Sequence, residues 1–206
     1  YAHATRGIFP DDLGSAYLPN VFKLQAIMTE EEEYYTSLLA ITELLKYGTT
    51  TFIDPGSTKY LDRCMDAYKQ AGCRIIVGSH VTDKANPLNL PVSSTAEAVQ
   101  TVEETIQRFD RKLDGRIRAW AMPFAPSLCT DELLIKCKQL ADRYDTGLTL
   151  HYNNSSDYVE SSVTEFGLRP TQYLEKLGIL GENVTLYHIL GPDSYTHLTL
   201  PTNREV

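Results

Sequence analysis

Long apolar runs are missing from this 206-residue chain. None approaches the roughly 20 residues that would span a bilayer, so no membrane partner is expected. Basic clusters are missing as well. Lys and Arg number 19 against 27 Asp and Glu, for a formal charge of −8. A nucleic-acid partner needs concentrated positive surface and is therefore not expected. Cysteine is scarce: Cys64, Cys73, Cys129 and Cys137 are the four, and no two have CxxC spacing. They read as reduced core residues of a cytoplasmic protein rather than a disulfide frame or a zinc knuckle. No GxGxxG or GxxxxGK[ST] follows any apolar run, which removes support from nucleotide-binding folds. No HxH or HExxH gives a local metal motif. The opening YAHATRGIFPDD does not read as a basic, then apolar, leader.

What is present is ordinary globular composition, 42% apolar and 22% charged. Its length suits one domain. Residues 1–193 are expected to form it. The C-terminal stretch Ser194–Val206, SYTHLTLPTNREV, reads differently. SYTHLTLPT is the translation of a transposase-based sequencing adaptor. The following residues fit an index block, and Val206 fits the fixed bases before a stop. Residues 194–206 are therefore expected to be a non-native tail, and His197 is given no chemical role. Tyr1 in place of Met adds to the expectation that the chain is an internal fragment.

From residue 29 onward, helical patterns alternate with short apolar runs. Thr29 and Glu32 have capping-box spacing, followed by Tyr34, Leu38, Ile41 and Leu45 at helical intervals and by Gly48 as a stop. The β-branched run Thr49–Ile53 ends at Asp54-Pro55-Gly56. A helix carrying Leu61, Met65 and Tyr68 leads to the strand Cys73–Val77. A polar loop over 82–93 precedes a second capping box, Ser94 to Glu97, and a helix with Val99, Val102, Ile106 and Phe109 on one face. Ile117–Met122 is the next strand. A Thr130-capped helix with Leu133, Leu134, Cys137 and Leu140 leads to Leu148–Tyr152. Pro170 opens a short helix, and Val184–Ile189 is the last strand. Such alternation implies parallel strands with right-handed crossovers. Two architectures suit it: an open doubly wound sheet, or part of a (β/α)8 barrel, which typically needs about 250 residues.

In parallel α/β folds the reacting groups sit at the carboxyl ends of strands. There the sequence places Asp54, Ser79 with His80, Phe124, His151 with Asn153 and Asn154, and His188. Two imidazoles at neighbouring strand ends can bind a metal or move protons. The plainer readings are that Asp54 organises the turn at Pro55 and that Glu30–Glu33 is a solvated helix N-terminus. His80 lines a pocket mouth with no evident partner, and His3 has no assigned role.

The order of motifs adds to this. RGIFPDDL (Arg6–Leu13), MTEEEEYY (Met28–Tyr35), ELLKYGTTTFID (Glu43–Asp54), AMPFAPSLCTDELL (Ala121–Leu134), LTLHYNN and FGLRPTQYLEKLGILGENVTLYHI (Phe166–Ile189) together resemble the amidohydrolase superfamily. The nearest branch is the cytosine deaminase-like and chlorohydrolase-like group, which includes guanine deaminase, adenosylhomocysteine deaminase and the triazine hydrolases. The resemblance implies an α/β fold that is part of a (β/α)8 barrel, with about five βα units corresponding to its second to sixth strands. It implies one divalent metal, Zn or Fe, with His151 as the fifth-strand ligand. His188 would be the sixth-strand catalytic histidine assisting the attacking water. The HxH pair of the family would lie just before Tyr1, and its eighth-strand Asp beyond the tail junction, so this chain would hold an incomplete metal site and be inactive by itself.

Two positions depart from the pattern. Asn154 stands where many members have the Glu of H-x-x-E, and an amide cannot cycle a proton near neutral pH. Phe124 stands in Pro123-Phe-Ala-Pro126 where many have PHxP, which favours an apolar substrate part. Both are expected to contact substrate. The resemblance therefore implies hydrolysis of a non-peptide C–N bond in a nitrogen heterocycle or amidine-like small molecule, by a cytoplasmic, homo-oligomeric parent. The alternative is a barrel homologue that has lost catalysis and serves as a binding or regulatory protein.

Overall fold

The structure, a computed structural model, describes residues 6–152 and 156–189. Asn154, His3 and the Ser194–Val206 tail lie outside the described residues. Strands and helices alternate: α1 (Tyr17–Ile27), α2 (Glu30–Lys46), β1 (Thr51–Ile53), α3 (Leu61–Ala71), β2 (Arg74–Val77), β3 (His80–Val81), α4 (Thr95–Phe109), the turn α5 (Lys112–Gly115), β4 (Ile117–Ala119), β5 (Met122–Pro123), α6 (Asp131–Arg143), β6 (Leu148–Tyr152), α7 (Ser156–Phe166), α8 (Pro170–Lys176) and β7 (Val184–His188).

All strand pairs are parallel, and their order in space follows their order in the chain. β1 pairs with β2, β2 with β4, β3 with β5, and β6 with β7. A parallel bridge from Ala121 to Leu148 joins the middle to the last pair. The amide of Thr149 donates to Ala121 O at 3.0 Å and that of His151 to Phe124 O at 2.9 Å. A doubly wound sheet needs a point where strand order reverses. No such reversal occurs among the described residues. The mixed α/β chain forms a singly wound wall, and no closed barrel is formed among the described residues. β1 and β7 are each paired on one side.

The helices cover one face of this wall. One core cluster joins α4, α6 and α8 to Val81, Ala121, Leu148, Leu150 and Tyr152. Another joins α2 and α3 to Ile75, Val77, Ile117 and Ala119. Strand alternation accounts for both, since every second side chain points to the helices. The residues between them, Ile76, Met122, Phe124, Thr149, His151 and Tyr187, point to the opposite face. Both expected capping boxes are present: Glu32 N donates to Thr29 Oγ1 at 3.3 Å, and Glu97 N to Ser94 Oγ at 3.3 Å.

Two readings of the sequence are corrected, and two helices, Tyr17–Ile27 and Ser156–Phe166, are added to the elements expected from it. The expected strand Ile117–Met122 is interrupted after Ala119, as its neighbour is after Val77. Glu33 is not solvated. It is 2% exposed and accepts from the amides of Lys59 at 3.1 Å and Tyr60 at 2.6 Å, tying α2 to the segment before α3.

All four cysteines are buried as free thiols. Burial pushes Cys64 up to about 11 and Cys129 up to about 12, and it raises Cys73 and Cys137 as well. Thiolate is the reactive form. The native chain should therefore resist a disulfide exchange reagent at pH 8, and all four should react on denaturation. Rapid modification of any one in the native state would contradict this burial. Among the described residues no helix is long and apolar enough to cross a membrane.

Candidate active site

The carboxyl ends of four successive parallel strands bring aromatic rings into one row. His80 on β3 lies 4.7 Å from Phe124, which follows β5. Phe124 stacks on His151 of β6 at 4.7 Å and 15°. His151 lies 5.2 Å from Tyr187 and 5.6 Å from His188, both on β7. The row follows from register: His80 opposes Met122 and His151 opposes Tyr187, so these side chains share the face turned away from the helices.

His188 needs a separate explanation. It is opposite Tyr152, whose side chain packs among the helices. Strict alternation would send His188 there too. Its backbone instead turns left-handed, with φ of 77°, followed by Ile189 at 52°. This departs from strand geometry, and the imidazole comes back within reach of His151.

A cavity of about 400 Å³ opens in front of the row, lined by Phe22, His80, Phe124, His151, Tyr158 and His188 among others. A second, of about 380 Å³, adjoins it and shares Phe22 and His80. Gly56, at φ of 85°, makes this approach possible. A Cβ there would stand 2.9 Å from both the ring Cδ2 and the backbone N of His80. Asp54 holds the same turn by accepting from the amides of Gly56 at 2.9 Å and Ser57 at 3.3 Å and from the Thr58 hydroxyl.

His151 is oriented through Nδ1, which lies 3.3 Å from the carbonyl oxygen of Phe124. A carbonyl only accepts, so Nδ1 carries the proton and Nε2 keeps its lone pair. Burial lowers the His151 pKa. The Phe124 contact opposes that shift, and the neighbouring His188 adds to it. Burial, with His151 nearby, lowers His80 to about 3. Both rings are therefore neutral near pH 7, the form that ligates metals.

Among the described residues no three His, Cys, Asp or Glu side chains gather to hold a metal ion. A catalytic zinc site typically takes three protein ligands. The described residues therefore fit a metal only as a contributor, through the free Nε2 of His151.

Of the residues singled out in the sequence, Phe124, His151 and His188 converge here, and Asn154 lies outside the described residues. His80 and Tyr187 join them. His80 was visible as a strand-end histidine, but its proximity to Phe124 depends on strand register. Tyr187 is not singled out in the sequence, where its place beside His188 is its one signal.

The sequence pattern of the amidohydrolase family matches residues 3–204. A 5-methylthioadenosine/S-adenosylhomocysteine deaminase from Syntrophobacter fumaroxidans is 30% identical over 174 residues, covering 84% of this chain and 38% of its own length. A 5'-deoxyadenosine deaminase from Methanobrevibacter smithii is 29% identical over 187 residues, covering 89% of this chain and 41% of its own. The chain thus spans about two fifths of these curated relatives. Among solved structures, an adenosine deaminase from Xanthomonas campestris with bound zinc superposes with a TM-score of 0.75 at 26% identity, covering 94% of this chain and 43% of that one.

Proposed function

The chain belongs to the amidohydrolase family, and from that premise we propose that it is the central part of a metal-dependent hydrolase that cleaves a non-peptide C–N bond. Its five βα units correspond to strands two to six of a (β/α)8 barrel. The intact protein acts on a small nitrogen heterocycle or amidine-like compound, in the manner of a deaminase. The observation that carries this reading is the pair His151 and His188, 5.6 Å apart at adjacent parallel strand ends on one cavity.

In this proposal a bound divalent metal supplies the Lewis acidity that makes water nucleophilic near neutral pH. His151 would hold it through Nε2, with the Phe124 carbonyl fixing the ring. The other ligands would come from outside the described residues. His188 takes or gives the proton of the attacking water. A C–O bond forms, the C–N bond breaks, and ammonia or an amine leaves. Phe124 offers an apolar face to the substrate ring. Asn154 hydrogen-bonds it without cycling a proton. A cytoplasmic location and a homo-oligomeric state belong to the same proposal.

The test is made on the full-length gene product. It should purify with a stoichiometric divalent metal and release ammonia from adenosine, 5'-methylthioadenosine or guanine. Chelation should abolish turnover and added zinc should restore it. A folded full-length protein that holds metal but turns over none of these amines would favour the non-catalytic homologue. One that holds no metal would overturn the proposal.

A further inference from the structure

His80 has no role in the proposal above, yet its ring is the most confined imidazole of the row. The backbone clamps it: His80 N donates to Gly56 O at 2.9 Å, and β3 pairs with β5 through Met122 and Pro123. Gly56 leaves just enough space for the ring edge. Gly78 is crowded in the same way, since a Cβ there would come 2.6 Å from Met122 and 2.7 Å from Trp120 O. Of the two glycines, Gly56 is the one that stands against the His80 ring, while Gly78 lets the strand carrying His80 approach Met122 and Trp120.

The ring touches Phe124 and His151. Among the described residues neither of its nitrogens has a hydrogen-bond partner. Neither is among the fully buried side-chain atoms without a partner in the described residues, so the half-buried His80 ring keeps its nitrogens accessible for a ligand to meet. His80 lines both cavities, and Phe22 lines both with it.

The walls say what could meet the His80 nitrogens. No Asp, Glu, Lys or Arg side chain lines the first cavity among the described residues. In the second, Lys59 is the one such residue among those described, and its ammonium is already directed to the carbonyls of Ala26 at 2.9 Å and Met28 at 3.4 Å. Gln25, Ser57, Thr58 and Asn89 make that second wall polar but neutral. An uncharged ligand with a flat ring and a polar neutral appendage matches both.

We infer that His80 is a substrate-orienting residue. Its imidazole hydrogen-bonds the polar edge of an uncharged nitrogen heterocycle lying against Phe124, and it directs the ligand's appendage into the second cavity. This inference rests on the hydrolase reading and adds a specificity residue to it.

The experiment compares His80→Phe, which keeps a ring and removes both nitrogens, with His80→Asn, which keeps a donor and an acceptor. Both are made in the full-length protein, with adenosine as substrate and adenine as the probe lacking the appendage. His80→Phe should weaken kcat/KM for adenosine about 10- to 100-fold, mainly through KM, because a buried substrate group loses its partner. Zinc content and melting temperature should not change. His80→Asn should recover most of the loss. Discrimination between adenosine and adenine should narrow in His80→Phe.

A His80→Phe enzyme with wild-type KM would overturn the inference and leave the hydrolase reading standing. So would a variant that loses zinc, since His80 would then act on the metal site. A wild-type protein that turns over none of the amines sinks the hydrolase reading, and this inference with it.

Discussion

Replacing His151 by alanine should empty the full-length protein of metal and lower turnover by roughly a thousandfold, equivalent to about 4 kcal/mol of transition-state stabilisation. The size follows from what the side chain does. Its Nδ1–H is committed to the Phe124 carbonyl at 3.3 Å, so only Nε2 is free, and His151 lines the cavity. Among the described residues no three metal-binding side chains gather, so no ready-made cluster stands in for it. The fold should hardly notice. His151 points away from the helices, whereas its neighbours Leu150 and Tyr152 carry the core at 1% exposure each. His188→Ala should behave differently, retaining metal while losing about 10²- to 10⁴-fold in kcat, as removal of a proton-transfer group does. Metal analysis by plasma emission beside steady-state kinetics separates the two. A His151→Ala protein that keeps its full metal content would remove His151 from the coordination shell.

Much of the frame is written locally. Thr29 with Glu32 and Ser94 with Glu97 close their capping boxes within four residues, and no tertiary contact is needed for them to be read. The short β-branched runs work similarly, because period-two burial shows in the sequence itself. Tyr17–Ile27 carries no such signal. Its cap makes no side-chain hydrogen bond, Pro19 sits in its first turn, and it buries only Val21 and Gln25. Glu33 was hidden for the opposite reason. Four consecutive glutamates look solvated, and only the folded chain brings the Lys59 and Tyr60 amides to one of them.

The site divides along the same line. A strand-end histidine can be found by reading, and the family motifs single out His151 and His188. Which of them shares a face depends on register and on backbone departures that no period encodes. His188 would have been sent to the wrong face by alternation, and its left-handed φ of 77° reverses that. His80 depends on its neighbour strand entirely: its ring meets Phe124 only because His80 and Met122 are paired.

The wall beneath the site makes a second large effect testable in the 206-residue chain itself. Gly147→Ala should destabilise the fold by about 3 kcal/mol, at the upper end for overpacking. The added Cβ would lie 2.4 Å from Cδ2 and Cε2 of Trp120 and 2.7 Å from Cε3. Neither partner can yield cheaply. Gly147 O accepts from Ala121 N at 2.9 Å, and the preceding Thr146 hydroxyl donates to Ala119 O at 2.6 Å. Trp120 N donates to Val77 O at 2.9 Å, and the indole is a rigid plane. Trp120→Ala would cost packing of its own. Combined with Gly147→Ala it should cost less than the sum of the two, by about 1–2 kcal/mol, since the clash is gone. Urea melts of the four proteins measure this cycle. Strict additivity, or a Gly147→Ala midpoint equal to wild type, would mean that the wall is looser than its hydrogen bonds imply. The consequence reaches the site, because Gly147 immediately precedes β6. If strain is relieved by sliding β6 along β5, the Thr149 N–H to Ala121 O bond and then the His151 N–H to Phe124 O bond are the next contacts in that ladder to break. The ring of His151 would then lose its alignment with Phe124. In the full-length protein the same substitution should therefore weaken metal binding as well as stability, although Gly147 touches no substrate.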